Sequence, residues 1–373
     1  MTSHSTPLAT IDPKHPKHPK HPKHPKHPKH PKRPERVPAA AWRKLGLTMV
    51  IPFFLVTVMG LAYLGAFHQP APHNVAVAVV GNTASMQAFA QGLEEKSGEA
   101  LDVRTVPDEA AARALIMKRE ITAAYAPSAT AATLMLSSAA SETTANITQK
   151  VFMPVAFEQH LPFQVLDVNP VGSHDTTGQG LFFMLVALSI GGYASSVPLA
   201  GFMGRIRLQT RFGLAALAAA VVATLAVVIA GPIYGVLQSH LGGTWLLSWV
   251  YVLAIVMLGM GLHPVLRHWT TATLTLLFVA LNFTSSGGIF APEMQPGIFG
   301  ALNSFWNGAA WHHAAQTLAY FPGQGMGADI LKLVLWLIPG SALMVLTHVF
   351  SVRKTQLANE NSSIREIEEV VAA

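Results

Sequence analysis

The stretch that decides the fold is Thr284–Trp311, TSSGGIFAPEMQPGIFGALNSFWNGAAW. It lies between two long apolar runs, and Gly287, Gly288, Pro292, Pro296 and Gly297 interrupt it. Proline removes a backbone donor and clashes with the preceding helical turn, so the stretch cannot be one straight membrane helix. It carries a lone carboxylate, Glu293, among apolar and aromatic residues. Broken backbone at membrane depth is tolerated only where protein buries it or where it lines a wet cavity. A transport or binding role is the first expectation.

The sequence on either side reads as bilayer-spanning. The chain is 51% apolar and only 12% charged, against about 25% charged in an ordinary soluble domain. Six apolar runs reach or approach the roughly 20 residues that a span needs: 45–67, 179–203, 212–238, 244–266, 270–290 and 330–350. Lys332, near the start of the last, can snorkel to the interface. The expected fold class is an α-helical polytopic membrane protein. It has six transmembrane helices and an α/β extracytoplasmic domain inserted between helices 1 and 2. The segments are a cytoplasmic tail (1–44), the first helix (45–67), the α/β domain (68–178), a membrane domain (179–350) with a re-entrant or interfacial segment at 284–325, and a second tail (351–373). The first apolar run starts too far from Met1, and runs too long, for a cleaved signal peptide.

Orientation follows from Lys/Arg asymmetry in short loops. Arg36, Arg43 and Lys44 precede the first run; Arg205, Arg207 and Arg211 follow the second. Arg267 follows the fourth, and Arg353 and Lys354 follow the sixth. All four groups fall on one side, whereas 239–243 has no Lys or Arg. Both termini are expected in the cytoplasm, and the membrane is expected to be the plasma (inner) membrane.

Residues 14–34 read KHP six times and then KRP. Proline at every third position excludes helix and sheet and favours polyproline II. His15, His18, His21, His24, His27 and His30 would share one edge, successive rings roughly 9 Å apart. Metal ligation needs nitrogens about 2 Å from the ion, so a straight tail cannot chelate through neighbouring histidines and would have to bend. The plainer reading is a disordered polybasic tail on anionic inner-leaflet lipids, with each Lys worth about 1 kcal/mol.

Residues 70–178 hold eleven acids and six bases. The order is β-α-β-α-β: strands at 74–80, 101–106, 121–127 and 132–137, helices at 84–97, after Pro107 and over 140–160, and a last extended run at 163–170. With no cysteine, disulfides, thiolate metal sites and cysteine nucleophiles are excluded. There is no phosphate-loop, HExxH or GxSxG pattern. No cofactor and no enzymatic activity are expected, and nucleic acid is not among the expected partners.

Two readings of Glu293 stand: a functional charge, because a carboxylate near the bilayer is costly unless wet or paired, or the cap of a short interfacial helix. Asp175-Thr176-Thr177-Gly178 either caps the second span or takes part in gating. Gly191-Gly192 and Pro232 are read as packing or kink positions. Trp306, Trp311 and Tyr320 with His312-His313 are read as an interfacial belt. In the C-terminal tail, Ser363 and Glu366 have capping-box spacing for a short helix.

One span, a large α/β domain, five further spans and a Gly/Pro-broken segment before the last resemble a type-2 ABC exporter permease. More narrowly, the chain is similar to the phage-infection-protein (YhgE/Pip-like) and nitrosoguanidine-resistance-like branch over about 45–350. The residues that carry the likeness are VAVAVV and PDEAAARAL, DTTGQGLFFMLVALSIGGY, and FTSSGGIFAPEMQPGIFGAL. The resemblance implies a homodimer exporting hydrophobic or amphipathic compounds, and a separate ATP-binding subunit contacted through 38–44 and 203–211. Arg205, Arg207 and Arg211 are the coupling candidates. The gate or pathway candidates are Glu293, Thr284, Ser285, Gly287, Gly288, Pro292, Pro296, Asp175 and Thr176. The rival expectation is a cell-envelope scaffold or surface receptor acting through the α/β domain. Proton-driven efflux is the weakest, because the spans contain almost no ionisable residues for a relay.

Overall fold

The computed structural model describes residues 39–203 and 206–372. The histidine repeat and Arg205 therefore lie outside the described residues. The chain divides into a unit Met1–Leu47, of which only the start of the first helix is described, and a unit Thr48–Ala373 that holds the rest. The helices are α1 (Ala39–Phe67), α2 (Ala84–Ser97), α3 (Glu109–Met117), α4 (Glu142–Glu158), α5 (Gly180–Phe202), α6 (Leu208–Val228) and α7 (Leu241–Leu266). They continue with α8 (Thr270–Thr275), α9 (Asn282–Ser285), α10 (Gly297–Asn303), α11 (Asn307–Tyr320), α12 (Gly327–Leu335) and α13 (Leu337–Ala372).

Between α1 and α5 lies a mixed sheet of β1 (Val75–Val80), β2 (Leu101–Val106), β3 (Ala123–Pro127), β4 (Ala132–Leu136) and β5 (Phe163–Asp167), in the order β2-β1-β3-β4-β5. The β3–β4 pair is antiparallel and the other three pairs are parallel. Strand alternation puts Val75, Val77 and Val79 in one apolar cluster with Ala90 and Leu93 of α2 and Phe152 of α4. Ala78, Ala124 and Met135 join Ala112 and Ile116 of α3 in a second cluster. The helix starts are capped as their sequences require: Thr83, Asp108 and Ser141 each accept an N–H of the first turn.

Five stretches among the described residues are long and apolar enough to cross a membrane: Trp42–Phe67, Gly180–Phe202, Leu208–Ile233, Leu241–Ser285 and Gly327–Asn361. They mark the chain as a multi-pass membrane protein. The fourth is 45 residues long and would measure about 67 Å if straight. It is not straight. α7 ends at Leu266, Arg267 adopts φ 51°, and a 3-10 turn at Arg267–Trp269 leads into α8. Asn282 then donates to the Tyr251 hydroxyl. These residues stand sixteen before and fifteen after Arg267, so the stretch is a helical hairpin.

The helical core forms where small residues let backbones approach. Ala215, Ala219 and Ala223 recur every fourth residue on α6 and are fully buried. Trp249 of α7 donates its indole N–H to the Ala216 carbonyl at 3.0 Å. Gly192 of α5 packs on Val252 and Ile255, which is the packing role read for it. Pro232 sits in a π-helical turn, Ile229–Ile233, that ends α6.

Two local readings are corrected. Trp311 does not belong to an interfacial belt: it is fully buried in the helical cluster, its indole N–H donating to Ser248 Oγ at 3.1 Å. Ser363 does not cap a separate helix. Its hydroxyl donates to the Asn359 and Glu360 carbonyls inside α13. No glycine or proline follows Gly340, so nothing in the sequence stops the helix.

Candidate functional site: a cavity between the α/β layer and the broken segment

The broken segment is a strap across the α/β layer. Ala291 N–H donates to Thr144 Oγ1 at 3.2 Å, the Thr143 hydroxyl donates to the Ile289 carbonyl, and His73 N–H donates to the Glu293 carbonyl at 2.8 Å. Met294, 1% exposed, enters the cluster that holds Val77, Tyr125 and Phe152. This explains the prolines and glycines physically. The strap must leave a helical path to place one methionine in the core of the α/β layer. Pro292 opens its 3-10 turn and Gly287 takes φ 76°.

A second seam joins the layer to α11. Gln316 Nε2 donates to the Ala139 and Ala140 carbonyls at 3.0 and 2.8 Å. Asn169 Nδ2 donates to the Tyr320 carbonyl at 3.0 Å, and Arg119 donates to Thr317 Oγ1.

Between the seams lies a cavity of about 350 Å³, within the roughly 300–1,000 Å³ of small-molecule pockets. Ile116, Ile121, Ala145 and Pro292 are among its apolar walls; Arg119, His312, His313, Asp329, Lys332 and Glu293 supply its ionisable groups. Asp329 is 6% exposed, and both of its oxygens are engaged. Oδ2 is 2.6 Å from His313 Nδ1, and Oδ1 is 3.9 Å from Lys332 Nζ. Arg119 lies over the Phe321 ring at 4.5 Å. Burial pushes its guanidinium down to about 10, with Asp329 opposing the shift, so it is charged at neutral pH. Burial, then His313 and Arg119, hold the His312 imidazole down to about 4, so it is neutral there.

The site residues expected from the sequence are not all brought together. Gly287, Pro292 and Glu293 line the cavity. Glu293 is exposed and forms no ion pair among the described residues. Thr284 and Ser285 are fully buried and return their hydroxyls to the Ala280 and Leu281 carbonyls. Gly288 packs against Phe182, and Pro296 is the residue before α10. Asp175 is buried and accepts the Gly180 N–H at α5 with both oxygens, at 3.1 and 2.9 Å, while Thr176 is exposed. Burial raises the Asp175 carboxyl, against the opposing backbone N–H groups of Gly180 and Gln179. Arg207 is exposed, whereas Arg211 is buried and donates to the Met203 and Ile206 carbonyls.

Sequence reading missed Arg119 and Asp329. Asp329 had a signal, being an acid just before an apolar run. Arg119 had only its place between a helix end and a strand, where it adopts φ 59°. Among the described residues, no three His, Asp or Glu side chains are disposed to hold a metal ion.

Fold and cavity together define a multi-pass helical membrane protein with a mixed α/β layer strapped onto its helices. No protein-family model, no curated protein and no solved structure matches this chain.

Proposed function

We propose that the chain is the membrane permease of an exporter for hydrophobic or amphipathic compounds. The observation that carries this reading is the strap. A break in the helical path, between two long apolar elements, lines a ligand-sized cavity. In this reading the chain crosses the membrane six times, because the Leu241–Ser285 hairpin, far longer than a bilayer core of about 30 Å, crosses twice. The Lys/Arg distribution then puts both termini in the cytoplasm and the α/β layer and strap outside. Energy comes from a separate ATP-binding subunit docking near the exposed Arg207, and the permease works as a homodimer in the plasma membrane. Glu293 and the strap form the outer gate.

The absence of native cysteine makes the topology directly testable. Single cysteines at Ser239, Arg267 and Thr355 would be treated with an impermeant maleimide on intact cells. Ser239→Cys should label; Arg267→Cys and Thr355→Cys should label only after permeabilisation. Transport is tested by efflux of an amphipathic dye from cells carrying the wild type or Glu293→Gln. Unchanged efflux in the variant removes Glu293 from the gate, and no efflux by the wild type removes the permease reading.

The second reading, a receptor or scaffold acting through the α/β layer, has one observation in its favour. Met153 and Phe157, one turn apart on α4, are 52% and 82% exposed.

A further inference from the structure

The charges in the cavity do not close on themselves. Asp329 has one oxygen on His313 and the other facing Lys332. Arg119 has one terminal nitrogen on Thr317, while Nη1 is buried and without a hydrogen-bond partner. A charged donor out of water and unpaired is a costly arrangement. Glu293, the other acid of the lining, is exposed and in no ion pair among the described residues, so solvent screens it. Arg119 and Lys332, both partly buried, thus share one committed carboxylate, Asp329.

Arg119 is also fixed in place. It adopts φ 59°, lies over Phe321, and is tied to Thr317 on α11. A guanidinium held in this way is oriented before any ligand arrives, and its planar fork suits carboxylate or phosphate oxygens. The aliphatic walls at Ile116, Ile121 and Ala145 suit an apolar body behind such a head.

We propose that this cavity binds a small amphipathic anion, its carboxylate or phosphate held by the Arg119 guanidinium and supported by Lys332. This deepens the permease reading by naming the class of its cargo, and rests on it only for the word cargo. The same headgroup chemistry belongs to a free amphiphile and to an anionic lipid.

The test is equilibrium binding of radiolabelled octanoate to the full chain in phosphatidylcholine nanodiscs, with empty discs subtracted. 1-Octanol, alike in length but uncharged, should bind at least tenfold more weakly to the wild type. Equal binding overturns the proposal whether or not any variant folds. Arg119→Gln should lose at least tenfold in octanoate affinity and Lys332→Gln a smaller factor. A folded Arg119→Gln protein with wild-type affinity, or no saturable octanoate binding at all, also overturns it. Discs containing phosphatidylglycerol separate the sources: competition with octanoate assigns the site to a lipid headgroup, and its absence assigns the site to a free amphiphile. Efflux is scored separately. Binding without efflux keeps the anion site and removes the permease reading; efflux without binding does the reverse.

Discussion

Asn282 donates its side-chain amide to the Tyr251 hydroxyl across 31 residues of sequence, and Arg267 stands at the midpoint with left-handed backbone. Tyr251 also pairs with Ser189 Oγ at 2.6 Å, and Asn282 reaches the same Ser189 oxygen at 3.3 Å. Three elements, α5, α7 and α9, are thus joined at one buried polar point. Hydrogen bonds between membrane helices average about 0.6 kcal/mol. Tyr251→Phe is therefore expected to cost under about 1 kcal/mol, and Asn282→Ala, which loses both its bonds and leaves a small void, about 1–2 kcal/mol. Thermal unfolding in one detergent orders the two. A costlier Tyr251→Phe would mean that the hydroxyl, and not the amide, is the centre of the junction.

Gly308 gives a sharper steric test. A Cβ there would overlap the Asn282 amide, which is fully buried and already committed to Tyr251. Gly308→Ala should destabilise by about 1–3 kcal/mol through overpacking. Gly242→Ala, in the first turn of α7 with open space around it, should be neutral or slightly stabilising. Folded yield and melting temperature of the two variants decide; equal melting temperatures would show that α9 and α11 do not meet as described.

His312 makes stability fall in acid. Its imidazole titrates at 6.5 when unperturbed and at about 4 in the fold. Between these values the unfolded chain binds more protons, so the contribution is complete above about pH 6.5 and is lost as pH falls towards 4. The full loss is about 3 kcal/mol, of which about 2 kcal/mol falls between pH 7 and pH 5. His312→Gln should flatten that part of the melting-temperature profile. A profile as steep as the wild type would place the proton uptake elsewhere.

Arg207 and Arg211 should separate by mechanism. Arg211→Ala leaves the Met203 and Ile206 carbonyls without their donor and should lower stability by about 1–3 kcal/mol. Arg207→Ala removes an exposed charge and should change stability by less than about 0.5 kcal/mol. If an ATPase docks here, co-purification should fall with Arg207→Ala at unchanged melting temperature.

Legibility in the sequence followed the range of the interactions. Val75–Val80 was readable as a strand from its short, valine-rich apolar run and Leu101–Val106 from its alternation, both properties of neighbouring residues. The caps Asp108 and Ser141 sit where first-turn chemistry demands them. The hairpin turn at Arg267 was readable as a gap between apolar runs, but its left-handed residue was not, since arginine carries no such preference. The cavity was half legible. Pro292 and Gly287 announced a break, whereas Arg119, His313 and Asp329 come from three separate places in the chain and meet only through tertiary packing. Trp311 misled for a related reason. An amphipathic aromatic fits an interface or a core equally well until its indole partner, here Ser248, is known.

The first helix differs from the others in what holds it. Phe53, Val56, Leu61 and Leu64 are each at least 66% exposed, so packing against protein contributes little and transfer into lipid sets its depth. Protein contacts on α1 gather instead on its other side and towards its end, where Ala62 and Ala66 are buried and Gly65 faces Phe299. Its last residue, Phe67, touches Phe290 of the strap with ring centres 5.9 Å apart. The strap therefore touches α1 at its C-terminal end, where protein contacts add to what lipid does along the rest of the helix.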